Sequence, residues 1–156
     1  MACTAISRGR LMAGLLVLTG IAACDGETPL VPVVTEDVLL VTQPDDFTVF
    51  LSSEYRGEVV LDEAGCFRLD LEPPNNATLV WPSGTSLWAR GDRLELQDDR
   101  GRQIVALGTS FRFIGGFVVG LGEVTDLSPM EQESVRMRCP GSFWLLREGS
   151  SRRISG

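Results

Sequence analysis

Four cysteines, 21 carboxylates and three tryptophans are the side chains of this 156-residue chain with the most chemistry to offer. The chain has no histidine, which removes serine–histidine–acid and cysteine–histidine catalysis at once. Two adjacent acid pairs, Asp62-Glu63 and Asp98-Asp99, have the residue types of a glycosidase couple. Such a couple must face a sugar from two sides, whereas neighbours on a strand point to opposite faces, and both pairs sit among turn residues. Asp98-Asp99-Arg100-Gly101 also lacks the alternating oxygen ligands of a calcium loop. The glycines from Gly108 to Gly122 lack the strand-then-helix setting and the lysine of a phosphate loop, and read as bends in a curved sheet. Cys66 and Cys139, isolated and without histidine, do not make a four-ligand zinc site. Neither a catalytic residue, nor a metal ligand, nor a cofactor is expected. The expected binding surface is Trp88 with Arg90. Alternation with Leu87 and Ala89 places Trp88 on the arginine's face of a strand, and exposed tryptophan beside arginine is the composition of a binding hot spot. Trp81 and Trp144 read as core.

The segments that must deliver and position these residues begin with residues 1–23. Arg8 and Arg10 precede an uncharged apolar run, Leu11 to Ala23, that ends in small residues, the layout of a secretory signal peptide. As a helix this run reaches roughly 20 Å, too short for a hydrocarbon core of about 30 Å. At its end Ile21-Ala22-Ala23-Cys24 resembles the lipobox of bacterial lipoproteins, in which the cysteine is lipidated after cleavage on its N-terminal side. The resemblance implies a thioether-linked lipid with two or more acyl chains on Cys24 and a lipid-anchored location in the cell envelope, periplasmic or on the cell surface. Two acyl chains, at about 0.8 kcal/mol per buried methylene, hold a protein on a membrane effectively for good. Export permits disulfides, and once Cys3 leaves with the signal and Cys24 takes the lipid, Cys66 and Cys139 remain to pair. The bond closes a loop of about 73 residues, worth about 4 kcal/mol in chain entropy.

Removing Arg8 and Arg10 with the signal takes the net charge from -7 to -9, and no lysine is present. So acidic a chain has few cations to offer phosphates, which argues against nucleic acid as a partner. Residues 24–46 carry Pro29, Pro32 and Pro44 among acids and read as the lipidated cysteine and a tether, with Val38 to Val41 as an apolar exception suited to an edge strand.

From residue 47 to 148 short apolar stretches alternate with turn residues and no 3.6-residue period is sustained, the pattern of an all-β domain. Glu58 to Leu61 and Cys66 to Leu71 flank a turn ending in Gly65. Arg93 to Leu96 and Gln103 to Leu107 flank Asp98-Asp99-Arg100-Gly101. Ser128-Pro129-Met130-Glu131 reads as a capping box with proline at the first helical position, and Cys139-Pro140-Gly141 ends that one short helix. Residues 149–156 read as a frayed tail. Six to eight strands in about 100 residues need a protected edge, which predicts a small antiparallel OB-like barrel, with a β-sandwich as the alternative.

Gly65-Cys66, LVWP at 79–82, Gly115-Gly116 and CPGSFWLL at 139–146 resemble a group of small uncharacterised bacterial lipoproteins. Trp88-Ala89-Arg90-Gly91 is similar to a strand element of the lysozyme-inhibitor lipoproteins, although their serine-glycine-tyrosine element has no counterpart. Together these readings imply an envelope protein, held to a membrane through Cys24, that acts as a non-catalytic binding or structural module for a protein or wall polymer. Inhibition of a cell-wall hydrolase is the second expectation and an enzyme of unknown class the third.

Overall fold

A computed structural model describes residues 30–33, 36–47, 52–71 and 76–154; the signal segment and Cys24 lie outside the described residues. Eleven strands and one helix are seen among them. In chain order these are β1 (Leu30–Pro32), β2 (Val41–Thr42), β3 (Ser53–Leu61), β4 (Phe67–Leu69), β5 (Ala77–Trp81), β6 (Ser86–Arg90), β7 (Arg93–Gln97), β8 (Gln103–Ala106), β9 (Ser110–Val118), α1 (Pro129–Arg138), β10 (Ser142–Leu146) and β11 (Arg152–Arg153).

Five strands close on themselves. β3 pairs with β4 and β9, β4 with β5, and β10 with both β9 and β5, so every member is bonded on both sides and the barrel has no free edge. All these pairs are antiparallel except the β5–β10 seam, which is parallel. Counted along the barrel, the first strand meets the fourth and the third meets the fifth, the OB-like order; closure rules out the open sandwich. Between the third and fourth barrel strands the chain builds β6, β7 and β8, which with β1 form a separate sheet in the order β1-β6-β7-β8. The Pro82-Ser83-Gly84 turn, with Gly84 at φ 71°, therefore does not fold β6 back on β5 but carries the chain into this second sheet.

Alternation explains the core. Phe67 and Leu69 of β4, Leu79 and Trp81 of β5, and Phe111 and Phe113 of β9 all turn inward, joined by Leu87, Leu96 and Val105 of the second sheet. Phe67 meets Trp81 edge-on at 5.8 Å. A smaller cluster lies on the outer side of the parallel seam, where Val80, Phe143 and Leu145 are covered by Val41, Leu121, Val124 and Val135 of α1. This helix starts as its sequence requires: Glu131 N–H donates to Ser128 Oγ, the Glu131 carboxylate accepts from the Ser128 N–H at 2.8 Å, and Pro129 follows the cap.

The Cys66–Cys139 disulfide is present, with Cα atoms 6.0 Å apart, and ties the β3–β4 hairpin to the end of α1. Around it polar groups are spent on backbone. Arg138 donates to the carbonyls of Ala64 (2.7 Å), Glu36 (3.1 Å) and Asp37 (2.6 Å), and Arg68 pairs with Asp62 at 2.7 Å while donating to Pro140. Gly65 sits at φ 78°, and a Cβ there would lie 1.7 Å from the Asp37 carbonyl oxygen, so only glycine fits.

Two segments expected to lie outside the domain are built into it. Within 24–46, β1 adds to the edge of β6 and β2 runs parallel to β5, continuing along the side of β5 that the three-residue β4 leaves open. Pro32 is tolerated because it stands on an edge strand. Within 149–156, Ser150 is buried and β11 pairs with β9 through Arg152 and Arg153. Apolar residues and backbone groups in both segments found partners that lie far away in sequence, which local composition does not reveal.

Candidate functional site

A cleft of about 740 Å³ lies between the ends of β5 and β10 and the β7–β8 turn. Phe47, Pro82 and Ile104 give it apolar wall, and Asp45, Asp99, Gln103 and Arg147 give it polar rim. Its floor is held by Gln43. The buried Gln43 amide donates to the carbonyls of Leu146 (2.6 Å) and Val80 (3.3 Å), bridging the ends of the two parallel strands, and its own N–H reaches the Trp81 carbonyl. Ser83 donates to Asp45 across the mouth.

Asp98 is the hub of the β7–β8 turn. Its carboxylate accepts from the N–H groups of Arg100 (3.0 Å) and Arg102 (2.8 Å) and from Arg102 Nε (2.6 Å). Partial desolvation opposes ionisation, but the Arg102 backbone and guanidinium and the Arg100 N–H outweigh it and hold the carboxyl below its usual range. That is the reverse of the raised carboxyl that proton donation needs. Asp62, the other acid singled out by spacing, shows the same balance. Desolvation raises it, and Arg68 with the Cys66 and Ala64 N–H groups brings it below the ordinary value. Asp62 and Asp98 thus serve separate turns and form no couple.

Trp88 and Arg90 lie on one face of β6, in the middle of the second sheet. Trp88 is half-buried, paired across to Pro32 and Glu95, with its indole N–H donating to Ser86 Oγ at 2.8 Å. Arg90 reaches Glu95 at 3.4 Å, and that carboxylate is only 8% exposed. Much of this pair is therefore occupied with holding the sheet, β1 supplying cover that the sequence does not announce. Trp81 is fully buried and Trp144 nearly so, both with indole nitrogens lacking a partner among the described residues.

Among the described residues no group of three or more metal-ligating side chains converges, and no helix is long and apolar enough to cross a membrane. No protein-family model, curated protein or solved structure matches the chain. The cleft itself went unread in the sequence, since Asp45, Gln103 and Arg147 come together only through closure of the barrel. The one local signal was the cluster of turn residues at 82–84 and 98–101.

Proposed function

We propose that this chain is a lipid-anchored envelope protein, exported and cut before Cys24, whose barrel is a non-catalytic module that binds a wall polymer through the 740 Å³ cleft. The cleft carries the proposal: amide and charged side chains rim apolar walls, the mix that takes hydroxyl-rich chains. Its hub acid is held ionised by the turn, which supports binding over proton-transfer chemistry.

The docked β1 gives the anchor a short lead. Leu30 is six residue steps from Cys24, and at about 3.6 Å per step they reach at most roughly 22 Å. A lipid on Cys24 would hold the second sheet that close to the headgroups.

Sedimentation of the full chain with purified cell-wall sacculi tests the module, with the double variant Asp99→Ala, Gln103→Ala expected to stay in the supernatant. Equal pelleting of both proteins, or of neither, would overturn the cleft assignment. Metabolic labelling with a clickable fatty acid tests the anchor separately: the label should vanish in Cys24→Ala, and label retained there would sink it.

A further inference from the structure

Arg56, Arg112 and Arg152 stand directly opposite one another on three adjacent strands, because β9 pairs Arg112 with Arg56 of β3 on one side and with Arg152 of β11 on the other. Like charges facing each other across a sheet are destabilising. The row is the more unexpected in a chain where acids outnumber bases 21 to 14. One carboxylate serves it: Glu54 holds Arg56 at 2.7 Å and Arg112 at 2.6 Å, and these two guanidiniums keep Glu54 below the usual carboxylate range. The remaining capacity is unspent. Arg112 Nε is buried with no partner among the described residues.

Beside the row lies a cleft of about 240 Å³ into which Arg112, Arg147 and Arg152 converge, with Ile114, Glu148 and Ser150 completing the wall. The turn that brings Arg147 and Arg152 to it is firmly built. Ser150 is buried, its hydroxyl donates to the Arg147 carbonyl at 2.5 Å and accepts from the Ile114 N–H at 3.3 Å, and Gly149 takes φ 65°. The cleft's lining sets Arg112, Arg147 and Arg152 against Glu148, and with Glu54 beside Arg112 the spot stays net positive. The space is smaller than the roughly 300 Å³ at which whole-ligand pockets begin, so it suits one charged group. A phosphate monoester carries about -1.5 to -2 at neutral pH and offers three acceptor oxygens that guanidinium forks match.

We propose that this cleft is a binding site for a phosphate group, borne on a soluble phosphate ester or on a lipid headgroup. Arg112, in the middle of the row, supplies the central guanidinium, and Arg147 and Arg152 the flanking charges. The site shares Arg147, Glu148 and Gly149 with the large cleft, whereas Arg112 and Arg152 line it alone, and it does not depend on the anchor.

Calorimetric titration of the full chain with inorganic phosphate, at constant ionic strength so that screening is fixed, tests it. Saturable binding in the millimolar range is expected, weakened about tenfold or more in Arg152→Gln and in Arg112→Gln, as loss of a charge-assisted hydrogen bond of about 1.5 kcal/mol requires. Arg152 lies on an exposed two-residue strand, so its variant keeps the fold even if loss of the Glu54 partner perturbs Arg112→Gln. Arg100→Gln, on the β7–β8 turn, should bind like the parent. Absence of saturable binding, or parental affinity in Arg152→Gln and Arg112→Gln, overturns the site. A short-chain phosphatidic acid below its micelle concentration separates the two sources. Tighter binding than inorganic phosphate assigns a headgroup, and equal or weaker binding a soluble ester.

Discussion

The segment 36–47 joins two regions that treat their polar groups in opposite ways. At its start, Glu36 and Asp37 give their carbonyls to Arg138 beside the disulfide, where Arg68, Asp62 and Gly65 are likewise committed to backbone and to each other. At its end, Asp45 and Phe47 line the large cleft together with Asp99, Gln103 and Arg147, side chains turned toward solvent. Polar atoms consumed internally hold a corner rigid, and polar atoms left facing water are available to a partner. The same short run of chain therefore divides the domain into a part that resists change and a part that tolerates it.

If that division is right, substitutions at the corner cost stability and substitutions at the cleft do not. The largest effect is expected for Cys66→Ala with Cys139→Ala. Losing a cross-link over 73 residues should cost about 4 kcal/mol, read as a lower denaturant midpoint. Next comes Gly65→Ala, at roughly 2 to 3 kcal/mol, because it combines a left-handed backbone with a Cβ placed against the Asp37 carbonyl. A loss under about 0.5 kcal/mol would show that the corner gives way easily, and would break the comparison.

A smaller effect is expected from acid. Asp62, Asp98, Glu54 and Glu131 all have folded-state values below the ordinary ones, so the folded protein binds fewer protons than the unfolded chain. Their contribution is complete above the unfolded carboxylate range, about pH 4 to 5, and is lost as the pH falls through the depressed folded values. Asp62→Asn should remove part of that slope and cost about 1 kcal/mol at neutral pH, a charge-assisted hydrogen bond discounted for solvent screening at a partly exposed side chain. Urea melts at pH 3 and pH 7 for both proteins measure it, and parallel pH dependence would remove Asp62 from the account. The smallest effect belongs to the cleft. Asp99→Ala and Gln103→Ala, both exposed, should leave stability within about 0.5 kcal/mol of the parent. A larger loss would mean that the rim is structural after all.

What could be read from the sequence was whatever is decided locally. Ser128 and Glu131 announce the helix, Gly65 and Gly101 their turns, and Phe67, Leu69, Phe111 and Phe113 the inward faces of their strands. The pairing of Cys66 with Cys139 followed from counting the thiols left once Cys3 and Cys24 are set aside for an expected signal and lipid. Features made by register between distant segments were not legible. β1 was masked by prolines that suit a tether as well as an edge, and of β2 only the apolar run that ends at Val41 stood out. The arginine row exists only because Arg56, Arg112 and Arg152 fall at one height on three strands, and nothing within a dozen residues of any of them reveals it. Trp88 was placed on the correct face of β6, yet its cover comes from Pro32, more than 50 residues earlier.

The parallel β5–β10 seam also sets the order in which the molecule can assemble. β3, β4 and β5 form a meander of near neighbours, but the strand that closes the ring pairs Ser142 with Ala77 and so waits for everything between them. A chain appearing N-terminus first exposes one edge of β5 and one edge of β9 until β10 arrives. Closure by such a non-local strand is slow by the standards of small domains, and the waiting intermediate offers unpaired edges to its neighbours. The step most exposed to aggregation, and most dependent on protection by other proteins, is therefore the interval between synthesis of β5 and arrival of β10.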